Sequence, residues 1–239
     1  MAKTLELMLP VYYGNKEELS GSIDVLNKFL INSLKSYKWS IVIGNNGVRK
    51  DCADITQDLM KKNKRLKLLD TNVPGKGASV LQLFEESNAD ILGFIDVDLS
   101  GDLNYLTIML KEIEKGAEIV SGSRNMIGSI TNRSFKRRLF AKVYTWFFVR
   151  ILLGMKLTDP QCGYKLITNQ AAKRLKPLIK DHIWFFETEM MYLAEKLKVN
   201  IKEIPVKWTD YGKSGVRLIK TSLNFIKKSL ELRFRKINT

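Results

Sequence analysis

The chain has 239 residues, 45% of them hydrophobic, with 15 Gly and 5 Pro, enough to bury a sizeable core and too apolar for a disordered, collagen-like or mucin-like polymer. Forty Lys and Arg against 25 Asp and Glu leave a formal charge of +15, which points to an anionic partner: nucleic acid, a phosphate-rich ligand or an acidic membrane surface. Two cysteines, Cys52 and Cys162, and a lone histidine, His182, exclude a zinc site built from Cys and His and argue against a Ser-His-Asp triad.

The N-terminus runs into an apolar stretch too short for a secretory signal, so the sequence predicts an intracellular protein with reduced thiols. No uninterrupted apolar run is long enough to read as a membrane span. Short apolar runs then alternate with helical patterns. Residues 5–12 predict a strand and 17–36 an amphipathic helix; 39–43 and 66–69 repeat the strand signal, and 51–62 and 77–87 the helical one. Residues 91–95 form a buried run that ends in Asp96-Val97-Asp98, after which 103–115 has helical spacing and 118–120 opens another strand. The alternation predicts an α/β fold: a mostly parallel central sheet with helices on both faces and ligands at the carboxyl ends of its strands.

The character changes at about residue 125. The 34 residues 125–158 contain no Asp or Glu, and seven basic side chains flank an apolar and aromatic set there. A helix over about 134–153 would suit a membrane interface, and a second basic amphipathic helix follows at about 216–236, with apolar residues at 216, 219, 223, 226, 230 and 234. A single helix of this kind ordinarily buries its apolar face in the core, and two of them in a chain of +15 shift the reading towards a membrane surface. One domain, 1–239, is expected, with a ligand-binding half over 1–124 and a second half over 125–239 that carries these helices.

Asp96 and Asp98 follow a buried strand, and in extended backbone they point to the same side. Such paired oxygen ligands hold Mg²⁺ or Mn²⁺, which neutralises a diphosphate and stabilises it as a leaving group. Gly75-Lys76-Gly77 leads a helix, where free backbone N–H groups and a lysine attract an anion, although a simple turn reads the same way.

In series, Leu9-Pro10-Val11-Tyr12, Gly75-Lys76-Gly77, Asp96-Val97-Asp98-Leu99 and Gly122-Ser123-Arg124 resemble the family 2 glycosyltransferases of GT-A fold. Asp159-Pro160-Gln161-Cys162-Gly163-Tyr164-Lys165-Leu166, Trp184-Phe185-Phe186-Glu187-Thr188-Glu189 and Ile204-Pro205-Val206-Lys207-Trp208 are similar to the branch that makes dolichyl-phosphate glucose and mannose. The resemblance spans about residues 5–220 and implies a nucleotide-sugar donor and a polyprenyl phosphate acceptor. It implies that Pro10, Tyr12, Asn45 and Asn46 line the base, that Gly75, Lys76 and Gly77 lie with them at the nucleotide-sugar, and that Asp96 and Asp98 bind the metal and diphosphate, with Asp98 and Arg124 carrying catalysis. Arg124 and one of Arg137 or Arg138 would meet the acceptor phosphate, for which a guanidinium fork is suited. Asp159, Lys165, Glu187 and Glu189 would orient the sugar or the basic residues, or hold a loop. Tyr13-Gly14 stands where the family usually has Asn-Glu, and Asn45-Asn46 where it has paired Asp, so the base stays open between uridine, which is favoured, and guanosine.

A phosphate monoester is largely ionised near pH 7, its second pKa being about 6, so it attacks an anomeric carbon without a general base. One displacement would invert the donor linkage, and glucose is the favoured sugar. The expected location is the cytoplasmic face of a membrane, held peripherally; the chain shows no added membrane helices, which leaves room for a membrane-protein partner or a homo-oligomer. Three rival readings remain: a family 2 transferase acting on a hydroxyl of a cell-envelope glycan, a degenerate transferase kept as a binding subunit, and a nonenzymatic nucleic-acid-binding protein. The last is disfavoured because the charge clusters beside apolar residues and no nucleic-acid motif is present.

Overall fold

The computed structural model describes residues 2–11, 16–133, 139, 143–210 and 218–236. Strand and helix alternate through β1 (Thr4–Val11), α1 (Lys16–Ser33), β2 (Lys38–Asn46), α2 (Lys50–Lys62), β3 (Leu66–Thr71), α3 (Lys76–Glu86), β4 (Ile91–Ile95), α4 (Asn104–Glu114) and β5 (Ile119–Ser123). The second half supplies β6 (Ile130–Asn132), a π-wound helix α5 (Tyr144–Leu152), β7 (Tyr164–Thr168), α6 (Asn169–Leu175), α7 (Phe186–Lys196), β8 (Ile201–Pro205), β9 (Lys207–Thr209) and α8 (Leu218–Phe234).

The main sheet has seven strands in the order β3-β2-β1-β4-β7-β5-β8, and β6 pairs with β9 beside it. All neighbours in the main sheet are parallel except β7, which runs antiparallel between β4 and β5. This exception positions the site. Tyr164, the first residue of β7, lies beside Ile95, the last of β4, so the loop that enters β7 arrives at the edge where β1, β2, β4 and β5 end.

Alternation along each strand divides the core into two layers. Leu5, Leu7 and Leu9 of β1 and Ile91 and Ile95 of β4 face α1, α2 and α4. Met8, Leu92 and Phe94 face the layer built by α3, α6 and α7, which also takes Tyr144 and Val149 of α5 and Leu232 of α8. With both faces covered, the central strands read as continuous apolar runs, the pattern parallel sheets require.

The expected basic helices are present in part. Residues 134–138 and 140–142 lie outside those described, and α5 supplies the remainder of the first. In α8 Ser229 and Leu232 are buried and Phe225 and Ile226 half-buried, while Leu230 is exposed and Phe234 is 80% exposed, so the last two positions of the expected repeat do not face the core; the side chains at 216, 219 and 223 lie outside those described. Among the described residues, no helix is long and apolar enough to cross a membrane.

Candidate active site

The carboxyl edge of the sheet gathers most of the residues marked by the sequence. Asp96 leaves β4, and a tight turn follows in which the Leu99 amide donates to the Asp96 carbonyl and the Ser100 amide to Asp98 Oδ1, each at 3.0 Å. Leu99 takes a positive φ of 50° to make that turn. The Asp96 side chain is 34% exposed, and it rests against Gly163, where an added β-carbon would overlap its carboxylate.

Behind Asp96 stands a buried string of alternating charge. Lys76 Nζ donates to Asp96 Oδ1 at 2.6 Å and to Glu187 Oε1 at 2.8 Å; Lys165 Nζ donates to Glu187 Oε2 at 2.5 Å and to the Cys162 carbonyl. Burial alone would pull the Lys76 ammonium pKa down, but the Asp96 and Glu187 carboxylates more than reverse this and raise it. Burial likewise pushes the Glu187 carboxyl up, and Lys165 and Lys76 together hold it below its ordinary value. Two acids and two bases thus cancel in a site where an unpaired charge would cost several kcal/mol.

A second cluster lies on the β5 side. Asp159 grips Arg124 through both oxygens, accepting from Nε at 2.6 Å and Nη2 at 2.8 Å, and it also accepts from the Arg124 backbone amide at 3.0 Å. Nη2 further donates to the Gln161 carbonyl at 2.8 Å, and the guanidinium lies 5.1 Å from the centre of the Trp208 ring. Burial opposes charge on both partners, yet each holds the other ionised: the Arg124 pKa is raised and that of Asp159 lowered. The Asp96 carboxylate also contributes to the Arg124 shift, so the two clusters share one field. Cys162 sits between them, its thiol pushed up to about 12 by burial.

Several expectations are revised by this geometry. Three of the helix-end amides are not free for an anion, since Gly75 N donates to Asn46 Oδ1 at 2.9 Å, Gly77 N to the Ile183 carbonyl at 3.1 Å and Ala78 N to the His182 carbonyl at 2.9 Å. Gly75 and Gly77 are glycines because a β-carbon on either would strike the 182–186 turn, and Lys76 is committed to Asp96 and Glu187. Asn45 spends its amide on Asp70 Oδ1 at 2.7 Å and the Arg49 carbonyl at 3.1 Å, bracing the turn after β2. Arg124 cannot offer its Nε–Nη2 fork to a ligand, because Asp159 occupies it; the Nη1 amine is its remaining donor. Glu189 lies in another network, where it accepts from the Lys180 and Asp181 amides and pairs with Arg235, just past the end of α8, at 2.5 Å. Pro10 is buried at the end of β1 beside Gly44. Tyr12, Arg137 and Arg138 lie outside the described residues.

Asn46, which the resemblance sets at the base, is joined by Thr71 and Ser79, two residues without a sequence signal of their own. Asn46 Nδ2, Thr71 Oγ1 and Ser79 Oγ are buried without a hydrogen-bond partner among the described residues, although buried polar groups are nearly always paired. Asn46 lies beside Thr71 in register, and Ser79 packs against Gly44 two residues earlier. Glu203 of β8 and the Gln161–Thr188 pair were also unmarked. Gln161 Nε2 donates to Thr188 Oγ1 at 2.7 Å, and Thr188 in turn bonds the Tyr144 hydroxyl at 2.7 Å.

Among the described residues, no group of three or more His, Cys, Asp or Glu could hold a metal ion. Asp96 and Asp98 lie past the end of β4 in the turn, so the shared direction expected of them in extended backbone does not apply; as carboxylates they are the hard-oxygen donors that Mg²⁺ or Mn²⁺ takes one or two at a time, filling the remaining positions with phosphate oxygens and water.

A mostly parallel sheet with this acidic turn after β4 and an arginine after β5, the next strand but one, agrees with the glycosyltransferase resemblance of the sequence. Residues 10–175 match Glycosyl transferase family 2, and the chain belongs to that family. It is 30% identical over 97% of its length to the dolichyl-phosphate beta-glucosyltransferase of Dictyostelium discoideum, of which it spans 74%. It is 25% identical over 92% of its length to the glycosyltransferase AglD of Haloferax volcanii, of which it spans 35%. Glucosyl-3-phosphoglycerate synthase from Mycobacterium tuberculosis, crystallised with Mn²⁺ and uridine-diphosphate-glucose, shares the fold at a TM-score of 0.66 and 12% identity, over 96% of this chain and 79% of that one.

Proposed function

We propose that this glycosyltransferase moves a hexose, glucose by preference, from a UDP-sugar to a polyprenyl phosphate at a membrane surface, inverting the sugar linkage. The observation that carries the acceptor is the commitment of the carboxylates that a hydroxyl acceptor would need as a base. Asp159 is locked to Arg124, Glu187 to Lys76 and Lys165, and Glu189 to Arg235. An acceptor phosphate arrives ionised and needs no base.

Each part of the chain then has a task. Asp96 and Asp98 would hold Mg²⁺ or Mn²⁺, with Lys76 and Gly163 fixing where the Asp96 carboxylate stands. When bound, the ion neutralises the departing diphosphate. Arg124 offers its Nη1 amine to the acceptor phosphate, and Asp159 keeps the guanidinium charged and oriented, so that the rate comes from placement and electrostatics. Asn46 Nδ2 at the end of β2, Thr71 Oγ1 at the end of β3 and Ser79 Oγ on α3, unpaired among the described residues, are assigned to the base of the donor. Pro10 and Tyr12 would flank it. Arg137 and Arg138 are assigned to the acceptor phosphate together with Arg124.

The outward side chains of α5 and α8 support the membrane surface. Trp146 is 65% exposed, and Val143, Phe147 and Ile151 are exposed on the same helix. Leu230 and Phe234 are exposed on α8, which packs against α5 through Phe225 and Tyr144. Aromatic and aliphatic residues beside lysines and arginines suit the headgroup boundary, where each basic residue contributes about 1 kcal/mol near an anionic leaflet. The names of the Dictyostelium relative and of the uridine-diphosphate-glucose complex support glucose and uridine. The test is a panel of labelled UDP- and GDP-sugars offered with polyprenyl phosphate in detergent, with Mn²⁺ or EDTA. Metal-dependent product from UDP-glucose is expected; product from a GDP-sugar alone overturns the donor.

A further inference from the structure

Arg124 depends on Asp159 for its orientation, and the position of Asp159 is fixed in turn by Glu203. Glu203 Oε1 accepts from the Asp159 amide at 2.9 Å, while Oε2 accepts from the Thr158 amide at 2.7 Å and the Thr158 hydroxyl at 3.0 Å. The carboxylate therefore closes on two successive peptide N–H groups at the base of the loop. Glu195 of α7 does the same one step earlier, accepting from the Lys156 amide at 3.0 Å. Burial raises the Glu203 carboxyl above its ordinary value, and the Thr158 and Asp159 donors oppose that rise.

The geometry also ties this support to the sheet. Glu203 stands on β8 opposite Ser121 of β5, two strand positions before Ser123, and Arg124 follows Ser123 directly. The two ends of the chain of contacts, Glu203 and Arg124, thus rise from adjacent hydrogen-bonded strands, and Thr158-Asp159 spans between them. A constellation held on rigid elements through successive hydrogen bonds keeps the tight placement that in-line transfer requires. We propose that Glu203 is a positioning residue for acceptor capture: it sets the Thr158-Asp159 peptide so that Asp159 presents the Nη1 edge of Arg124 to the acceptor phosphate. This rests on the reading of Arg124 as the acceptor-phosphate residue.

The test is Glu203→Gln, which keeps the size of the side chain but places an NH₂ where one oxygen accepted an N–H. With polyprenyl phosphate as acceptor, kcat/KM for the acceptor should fall by roughly 10- to 100-fold, with the donor KM within about twofold of wild type. Asp159→Asn should produce the same split, and the Glu203→Gln/Asp159→Asn double variant should be no worse than Asp159→Asn alone, because coupled residues are not additive. Additive losses, a fall in thermal midpoint with both KM values unchanged, or an equal rise in donor and acceptor KM would each overturn the inference. A second readout does not depend on activity: the Arg124 Nε–H resonance, held by Asp159 in the wild type, should shift and exchange faster with water in Glu203→Gln. An unmoved resonance overturns the positioning role. Wild-type protein that fails to use polyprenyl phosphate contradicts the proposed function, and the resonance still decides the role of Glu203.

Discussion

Gly163 and Asp96 are in such close contact that the glycine hydrogen occupies the space any side chain would take beside the carboxylate. The loop before β7 therefore shapes the acid at the end of β4, which places two distant parts of the sequence in one functional unit. Gly163→Ala should push Asp96 out of line and cost on the order of 100-fold in metal-dependent transfer, with about 1–3 kcal/mol of stability lost to overpacking. A Mn²⁺ titration of activity checks this; a wild-type midpoint and rate would contradict it.

Lys76 offers a sharper test of the buried charge string. Its removal leaves Glu187 with one partner and Asp96 without its ammonium, and breaking a buried pair from one side costs about 3–5 kcal/mol. Lys76→Met should accordingly lower the urea unfolding free energy by that amount. A loss below about 1 kcal/mol, the range of exposed pairs, would show that the string contributes little.

Much of this was legible in the sequence, and what was not has a physical cause. The first five strands and four helices follow from apolar periodicity, and Asp96-Val97-Asp98 was found because it ends a buried run. The antiparallel insertion of β7 was not foreseen, since strand direction depends on which edge a loop returns to and leaves no local mark. Gly75-Lys76-Gly77 looked like a helix start open to an anion; the His182 and Ile183 carbonyls that satisfy its amides lie over 100 residues away in the chain. Glu203 was missed for the same reason, although it directly precedes the Ile204-Pro205-Val206-Lys207-Trp208 motif.

Acid should weaken the fold through Asp159. Its pKa lies below the ordinary 3.8 when folded, so the pairing contributes stability above that ordinary value and loses it as pH falls through the folded pKa. Asp159→Asn should destabilise the protein by about 3–5 kcal/mol near neutral pH, because Arg124 is left buried without its partner. The gap between variant and wild type should narrow below pH 3.8. Unfolding curves across pH 3 to 7 would check the sign; a gap that widens in acid contradicts it.

The thiols should be inert in the native state. Cys162 is fully buried and its thiol is pushed up to about 12, and Cys52 is buried with a raised pKa as well. Reactivity belongs to the thiolate. Native protein at pH 8 should resist iodoacetamide and should take up two equivalents after unfolding, counted by mass. Rapid native labelling would place a thiol outside the core.

Membrane attachment is tested at Trp146. Trp146→Ser should weaken sedimentation with anionic vesicles by roughly 10-fold or more, in keeping with about 1.5–3 kcal/mol for burying a large apolar side chain, and the wild-type tryptophan emission should shift to the blue on binding. Equal binding by both proteins would leave charge alone as the attraction.

The most direct test of the central claim compares two acceptors that differ in one group. Labelled UDP-glucose with Mn²⁺ is offered to polyprenyl phosphate and to the corresponding polyprenol, using wild type and Asp98→Ala. The account predicts product from the phosphate alone, abolished in the variant. Product from the free alcohol would contradict it, because Asp159, Glu187 and Glu189 are committed to cations and are not available to activate a hydroxyl.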